Sequence, residues 1–319
     1  MADARAIETG EVIEVEAADV GGTVAAALRR RMSDKSWNEV KRLCSTGKVM
    51  VDGVVSLDPA LRVQSGQRLE LRLRAPRPVA TPPGFRIAFE DAHVVVVEKP
   101  SGISSVPYDR KETGTAMDLV RATWRRGGKR ATATPLYIVH RIDKDTSGLL
   151  CFAKTRLAER GLHQVFQRHT ADRFYLAVAH GEVAAARIES RLVTDRGDGI
   201  RGSTRHADQG QEAVTHVEPL KPLRGATLCR VRLETGRTHQ IRIHLSERGH
   251  PLVGETVYNR EFYRTDRPQI ASARLLLHAA LLGFPHPVTG VLVELRTPPP
   301  DDFLTVLKSL GGTRGDCGF

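Results

Sequence analysis

Proline density in one short segment sets the strongest limit on how this chain folds. Four of the ten residues from 75 to 84 are proline, which fixes its own φ angle and has no backbone N–H group to donate. The segment therefore cannot continue a helix or a central strand, and it is typical of a semi-rigid linker. Since 319 residues also exceed the usual size of one hydrophobic core, we predict two domains. The predicted segments are a tail over 1–11, a small domain over 12–74, the linker over 75–84 and a larger domain over 85–319.

The charge balance indicates a polyanionic partner. The chain carries 48 Lys and Arg against 37 Asp and Glu, a formal net charge of +11, and nucleic acid is the commonest polyanion that such proteins bind. The 4 cysteines lie far apart, without the spacing of zinc ligands or of a disulfide framework, so we expect a cytoplasmic protein without a metal. We expect no membrane partner, because the sequence offers neither a secretory signal nor an apolar run of about 18 residues.

The small domain is predicted to combine two helices with a hairpin. One helix spans 23–32, and a second has Ser36 as its N-cap and Gly47 as its stop. An Asp-Gly turn within 49–55 predicts a hairpin, and an alternating strand over 69–73 completes the domain. Helical spacing of the apolar residues in the second helix predicts a core-facing side. These residues are Trp37, Val40, Leu43 and Cys44.

Strands dominate the predicted core of the larger domain. The run 94–97 consists of valines, which is typical of a buried strand. Later apolar segments at 137–139, 148–152 and 175–178 are not separated by regular helices. This pattern favours an α+β fold over a doubly wound α/β fold.

The segment 140–150 combines reactive side chains with apolar flanks. Loops held between strands often present reactive groups from a rigid scaffold. A solvated turn is the alternative, because the residues from Asp145 to Gly148 are good turn formers. A third interpretation is a hydrolase that uses Ser147 with His140, but the GxSxG pattern of such enzymes is absent.

A second polar segment, 235–245, predicts an anion-binding helix start. Thr238 is expected to cap a helix, leaving Gln240 and Arg242 near its positive end, where phosphate or a carboxylate is favoured. The alternative is an amphipathic helix whose arginines form ordinary surface ion pairs. The two histidines of the segment, His239 and His244, are five residues apart instead of four, so a metal-binding pair is not supported.

Tyr175 lies in a predicted strand, where alternation would direct it and Phe174 to opposite faces. A tyrosine in a strand is usually a packed aromatic side chain with a hydrogen-bonded hydroxyl. Beside an RNA-binding loop, its ring would instead be available to stack on an extruded base. The residues alone leave both interpretations open.

Six motifs follow one another along the larger domain in a characteristic order. They are KPxG at 99–102, HRxDxxTSG at 140–148, EAxT at 212–215, GRTHQIRxH at 236–244, GxPixG at 249–254, and LHA at 277–279 with HP at 286–287. In these motifs the chain resembles the RluA family of pseudouridine synthases over about residues 85–305. Four positions depart from the common family pattern, namely Glu98, Ser105, Arg173 and Glu255.

The resemblance assigns a role to the candidate residues. It implies an α+β catalytic domain with a mixed, mainly antiparallel sheet that isomerises uridine without a cofactor. Asp143 is implied to attack C1′ or the base, or to assist proton removal. Arg242 is its implied cationic partner, with Arg237 as the second choice, and Tyr175 is implied to stack on the uracil. The target uridine is expected to leave its stack, and Arg141 to fill the vacated position. The other residues implied to bind substrate are His140, Thr146, Ser147, Gly148, Arg237, Thr238, His239 and Gln240.

The small domain resembles the S4 RNA-binding domain in its turns at 47–53 and 63–67. This resemblance favours large-subunit ribosomal RNA as the substrate, with transfer RNA as an alternative and a monomer as the expected state. A noncatalytic ribosome assembly factor is the main competing function, and the intact Asp143 and Arg242 argue against it. The basic residues expected to contact RNA phosphates are Arg29, Arg30, Lys41, Arg42 and Lys48.

Overall fold

The computed structural model divides the chain into two compact units. The small unit comprises the described residues of 1–81 and 118–134, and the large unit those of 82–117 and 135–319. The described residues are 12–75, 81–109, 112–126, 134–265 and 267–319. The predicted tail and half of the predicted linker, residues 76–80, lie outside them, so the predicted domain boundaries stay a prediction. No helix in the described residues is long and apolar enough to cross a membrane.

The small unit contains an antiparallel sheet in the order β1-β4-β2-β3 together with helices α1 and α2. Its elements are β1 (Val12–Glu14), α1 (Val24–Arg31), α2 (Trp37–Ser45), β2 (Val49–Val51), β3 (Val54–Val55) and β4 (Arg68–Leu71). Ser36 caps α2 as predicted, accepting the Glu39 N–H at 3.2 Å while the Glu39 carboxylate accepts the Ser36 N–H at 2.7 Å. The predicted hairpin is also confirmed, because Asp52 (φ 49°) and Gly53 (φ 79°) form a turn with two positive φ angles.

Two details of the small unit differ from the sequence prediction. Strand β4 ends at Leu71, two residues before the predicted end. Trp37 was predicted to face the core, but half of its side chain is exposed, because it begins α2 while Val40 and Cys44 supply the buried side of the helix.

The large unit is built on an 11-stranded sheet. Its strands are β5 (Arg86–Glu90), β6 (Val94–Lys99), β7 (Tyr137–Ile138), β8 (Ser147–Ala153), β9 (Asp172–His180), β10 (Ala186–Val193), β11 (Gly202–Thr204), β12 (Gln211–Leu223), β13 (Ala226–Leu233), β14 (Leu277–Pro285) and β15 (Leu292–Arg296). The strand order is β11-β10-β12-β13-β9-β14-β8-β6-β5, with β15 beside β14 and β7 beside β8. Among the described strands, only β8 and β14 pair in parallel, which confirms the predicted α+β fold with a mainly antiparallel sheet.

Among the described residues, four further helices follow or interrupt the strands of this unit. They are α4 (Arg156–Gln167), α5 (Gln240–Glu247), α6 (Arg260–Tyr263) and α7 (Asp301–Ser309), while α3 (Ala116–Arg126) spans the division between the units. The valines of β6 are fully buried, as predicted. The loop before β8 and the turn between β13 and α5 carry the two polar segments that the sequence singled out.

Gly148 permits the close approach of β8 and β14. Its φ is +115°, and a Cβ atom there would lie 2.2 Å from the Ala279 carbonyl oxygen. We expect Gly148→Ala to destabilise the large unit by at least about 2 kcal/mol, because the substitution combines backbone strain with a clash against another strand. Chemical denaturation would measure the loss. Gly290→Ala is the matched control, since Gly290 also has a positive φ but has no atom within 4 Å of its added Cβ, so an equal loss in both variants would contradict the role of the strand contact.

Candidate active site

A cleft of about 850 Å³ in the large unit contains Asp143. The loop before β8, the C-terminal part of α4 and the turn between β13 and α5 border it. Asp143 is 21% exposed, and it is the one carboxylate among the described residues that line the cleft. The basic lining residues are Arg141, Lys144, Arg173, Arg201 and Arg237. The cleft therefore attracts a polyanion while presenting a single anionic group.

The loop that carries Asp143 is held through its backbone by the segment that follows β6. The bonds are Ser101 Oγ to the Asp145 carbonyl at 2.7 Å, Gly102 N–H to the Lys144 carbonyl at 2.9 Å, and Ser105 Oγ to the Ile142 carbonyl at 2.6 Å. The Ser105 hydroxyl also accepts the Ile142 N–H at 3.2 Å. The carboxylate thus stands on a loop whose main chain is fixed on both sides of it.

Lys99 also contributes to holding this loop. Its side chain is 1% exposed, and Nζ donates to the carbonyls of Pro100 at 3.0 Å, Ile103 at 2.6 Å and Lys144 at 2.9 Å. Burial lowers the pKa of Lys99 to about 7, while the charge of Asp143 opposes this shift. Its three acceptors match the three N–H donors of the ammonium form.

Arg242 is the cation nearest to Asp143. Its Nη1 lies 3.9 Å from Asp143 Oδ2, while Nε and Nη2 donate to both oxygens of Glu255 at 2.7 Å each. Burial raises the pKa of Glu255, but the bonds and charge of Arg242 outweigh burial, so the pKa of this carboxyl lies below its ordinary value. Glu255 also accepts the N–H groups of Thr256 at 3.0 Å and Val257 at 2.8 Å. Glu255 therefore positions the guanidinium, and Asp143 keeps oxygen lone pairs free for substrate.

His239 links the cleft wall to this ion pair. It adopts a left-handed conformation (φ 59°) and its Nδ1 lies 2.7 Å from the Tyr258 hydroxyl, whose ring lies 5.3 Å from the Arg242 guanidinium. Burial lowers the pKa of His239, and the charge of Asp143 opposes that shift. A left-handed backbone conformation is uncommon at residues other than glycine, and such conformations concentrate at functional sites.

Tyr175 lies behind the cleft and does not line it. It is 8% exposed on β9, and burial raises the pKa of its hydroxyl, while the charge of Arg173 opposes this shift and the charge of Asp143 adds to it. Its neighbour Arg173 does reach the cleft, where Nη2 donates to the Glu234 carbonyl at 2.8 Å. The stacking of Tyr175 on uracil stays a prediction, because Tyr175 is not among the described residues that line the cleft.

His140 has a structural hydrogen bond in addition to its place in the cleft wall. Its Nε2 accepts the Cys151 N–H at 2.9 Å, and its ring stacks on Phe166 with 4.4 Å between centroids. Burial, assisted by the charge of Arg173, lowers the pKa of His140 to about 3. His140 is thus a neutral acceptor that joins the loop to β8, while its neighbour Arg141 is exposed at the cleft.

The end of the HRxDxxTSG motif turns away from the cleft. Thr146, Ser147 and Gly148 are buried and are not among the described lining residues. The Ser147 hydroxyl lies 2.9 Å from His278 Nδ1 and accepts Arg274 Nη2 at 2.7 Å. The structure thus pairs Ser147 with His278 instead of His140, which removes the geometric basis of the hydrolase interpretation. Direct substrate contact by these three residues stays a prediction, since Ser147 and Gly148 begin β8 and the buried Thr146 precedes it.

The start of α5 corrects the predicted cap. Thr238 lines the cleft, but the N-cap is His239. The buried Gln240 side chain satisfies the turn instead: its Oε1 accepts the Arg237 N–H at 2.9 Å and its Nε2 donates to the Val214 carbonyl at 3.0 Å. Gln240 therefore has a structural role, whereas Arg237, Thr238 and His239 line the cleft. Substrate contact by all four stays a prediction.

The basic residues predicted to bind RNA in the small unit divide into two groups. Arg29, Arg30 and Lys48 donate hydrogen bonds to backbone carbonyls of the chain, and Arg30 also pairs with the buried carboxylate of Asp19 at 3.1 Å. Lys41 and Arg42 are exposed on α2. RNA contact by all five stays a prediction, and the exposed pair on α2 carries the stronger case.

Sequence reasoning missed several residues that build the site. It recognised Lys99 only as part of a motif, and it treated Ser105, Arg173 and Glu255 only as departures from a family pattern. Arg201 lies outside all six motifs, so the sequence pattern gives no signal for it. The signal for Lys99 and Glu255 was available in principle, since a charged side chain within an apolar strand or beside a glycine turn needs a buried partner.

Three histidines with lowered pKa values predict acid sensitivity. Burial lowers the pKa of His140 to about 3 and those of His244 and His278 to about 4. Between pH 6.5 and 4 the unfolded chain binds protons that the folded chain does not, so the free energy of unfolding falls as pH falls. We expect up to about 1.4 kcal/mol per pH unit for each histidine. Denaturation of the large unit between pH 6.5 and 5 measures the slope. His278→Gln should reduce the slope, whereas replacing the exposed His206 should not.

Comparison with known proteins identifies the family. Residues 93–247 match the model of the RNA pseudouridylate synthase family. Ribosomal large subunit pseudouridine synthase D of Zymomonas mobilis is 35% identical over 300 residues, covering 91% of this chain and 94% of that protein. The chain belongs to the RNA pseudouridine synthase family. It is an isomerase that converts uridine to pseudouridine in RNA, as the six sequence motifs predicted.

Two further comparisons agree with this assignment. The protein of the same description from Pseudomonas aeruginosa is 37% identical, over 83% of this chain and 84% of that protein. The solved structure of human RNA pseudouridylate synthase domain containing 4 shares the fold with a TM-score of 0.56 and 23% identity, over 70% of this chain and 92% of that chain. The fold is thus common to this enzyme and a human protein of distant sequence.

Proposed function

We propose that this enzyme isomerises uridines of large-subunit ribosomal RNA and that Asp143 is its nucleophile. The observation that carries the catalytic part is the cleft itself, where Asp143 is the one carboxylate among the described lining residues and five basic side chains surround it. The choice of RNA rests on the two bacterial relatives named for ribosomal large-subunit activity. The predicted S4-like character of the small unit supports the same choice.

The reaction breaks the N1–C1′ bond, turns the uracil and forms the C5–C1′ bond, so no electron donor or acceptor is needed. A proton leaves C5 and a proton is gained at N1. In the proposed mechanism Asp143 forms a covalent bond during this exchange, at C1′ or at the base, and releases it when the new bond forms. Arg242, 3.9 Å from the carboxylate, places a positive charge beside it, which offsets the repulsion between the carboxylate and the phosphates.

The surrounding residues are proposed to hold the extruded nucleotide. Arg141 and Lys144 are exposed on the catalytic loop, where they would bind phosphates and fill the space that the uridine leaves. Tyr175 is proposed to contact the uracil after the base moves inward past the present cleft wall. Its buried hydroxyl would then lie near the exchanging C5 proton.

Release of tritium from RNA labelled at C5 of uridine tests this proposal. Wild-type enzyme is incubated separately with large-subunit ribosomal RNA and with transfer RNA, since loss of the C5 proton accompanies each turnover. Release from ribosomal RNA supports the proposal, and release from transfer RNA alone overturns the assigned substrate. Binding of both RNAs without release from either would favour the noncatalytic alternative.

A further inference from the structure

Tyr108 is an aromatic side chain that contributes almost nothing to the packing of the protein. It lines the Asp143 cleft, yet 94% of its surface is exposed. Aromatic side chains normally bury a large apolar area, and a tyrosine at a recognition surface offers a ring face together with a polar tip. At this position the ring is accessible to a ligand that binds in the cleft.

The main chain at Tyr108 is hydrogen-bonded to the Glu112 side chain. The Glu112 carboxylate accepts the Tyr108 N–H at 2.6 Å and the Ser104 hydroxyl at 2.5 Å. These two hydrogen bonds hold the pKa of Glu112 below its ordinary value, with the Ser104 bond as the larger cause. Pro107 limits the backbone before the tyrosine. The Tyr108 main chain is thus linked through Glu112 to Ser104.

The same turn is tied to the catalytic loop. Ser105 is bonded to both backbone groups of Ile142, the residue before Asp143. Three residues span at most about 10 Å, so the Cα atom of Tyr108 lies within that distance of Ser105. The ring is therefore anchored beside the loop of Asp143, but it stands at the exposed edge of the cleft while Asp143 is 21% exposed.

The charges around the ring fit a nucleic acid strand. Arg141, Lys144, Arg201 and Arg237 line the same cleft, and such side chains bind phosphates without reading sequence. Aromatic rings beside a cationic groove bind unpaired bases by stacking, because every base has a π face. The described lining residues thus supply both elements that a single-stranded RNA segment requires.

We propose that Tyr108 stacks on a base that flanks the target uridine and so forms a separate nucleotide-binding position at the edge of the cleft. This inference rests on the proposed function. The flanking base must be unpaired when bound, and the position selects RNA segments in which it can be splayed from its stack. Tyr108 is accordingly a specificity-determining residue, and the chemical step does not require it.

Kinetics of tritium release from the RNA that wild-type enzyme modifies test the assignment. Tyr108→Ala should lower kcat/KM by about 10-fold or more through KM, because stacking on one base is lost. Tyr108→Phe retains the ring and should stay within about twofold of wild type. Leu157→Ala is the control, since Leu157 is 51% exposed but is not among the described residues of the cleft.

Short RNA substrates with one abasic nucleotide locate the contact. Positions on either side of the target are made abasic one at a time. At the stacking position the missing base should slow wild-type enzyme by the same factor as Tyr108→Ala and should cause no further loss in that variant. Equal activity of Tyr108→Ala and wild type, or a Tyr108→Ala defect that persists at every abasic position, overturns the inference. Absence of turnover by wild type would instead refute the proposed function.

Discussion

Asp143→Asn is expected to reduce tritium release from RNA by more than about a thousandfold, because the amide cannot replace a carboxylate nucleophile. The substitution keeps the size of the side chain. The loop should also keep its position, since its hydrogen bonds to Ser101, Gly102 and Ser105 involve its backbone. RNA affinity should remain within a fewfold of wild type, because the basic residues of the cleft are unchanged.

Two measurements make this result specific. Thermal unfolding of the variant establishes that the large unit is intact, and a filter-binding titration at a stated salt concentration gives its affinity for RNA. Lys144→Gln is a useful companion, since it alters an exposed residue next to Asp143 and should affect KM far more than kcat. Normal turnover by Asp143→Asn would show that the nucleophile is another group.

Arg242→Met is expected to impair both stability and turnover. The substitution leaves Glu255 as a buried carboxylate without its cation, and loss of one partner of a buried ion pair costs about 3–5 kcal/mol. Asp143 would also lose the cation at 3.9 Å, so kcat should fall by at least about a hundredfold. Chemical denaturation and tritium release measure the two effects separately.

The double variant Arg242→Met with Glu255→Gln separates the structural from the catalytic role. Glutamine is neutral, and its side-chain carbonyl can still accept the N–H groups of Thr256 and Val257 that Glu255 accepts. The double variant should therefore regain much of the lost stability, while turnover stays low because Asp143 still lacks its cation. Recovery of turnover together with stability would mean that Arg242 acts only through the fold.

Local features of the small unit were predictable because neighbouring residues decide them. Ser36 and Glu39 satisfy each other's backbone groups, and the Asp52-Gly53 pair tolerates positive φ angles. These interactions span no more than three residues, so the sequence pattern contains all the partners. Trp37 shows the limit of such prediction, because helical spacing does not indicate at which residue the buried side of a helix begins.

The catalytic site was predictable in its main residues but not in its supports. The motif that contains Asp143 is contiguous, whereas Lys99 reaches Lys144 across 45 positions and Arg242 reaches Glu255 across 13. Which partner a buried charge finds depends on strand order, and a single sequence does not determine that order. The predicted cap at Thr238 failed for a related reason: the Gln240 side chain bonds to β12, so it closes the turn without a hydroxyl cap.

The attachment of the catalytic loop has a consequence for how this enzyme can change. The hydrogen bonds that hold this loop go to its backbone groups, so they do not depend on which side chains the loop carries. The residues that make these bonds are Lys99, Ser101, Gly102 and Ser105. The side chains of Arg141 and Lys144 are consequently free to be exchanged without displacing the carboxylate between them. Variation at these two positions is a route by which RNA preference can drift, or be redesigned in the laboratory, while the chemistry stays the same.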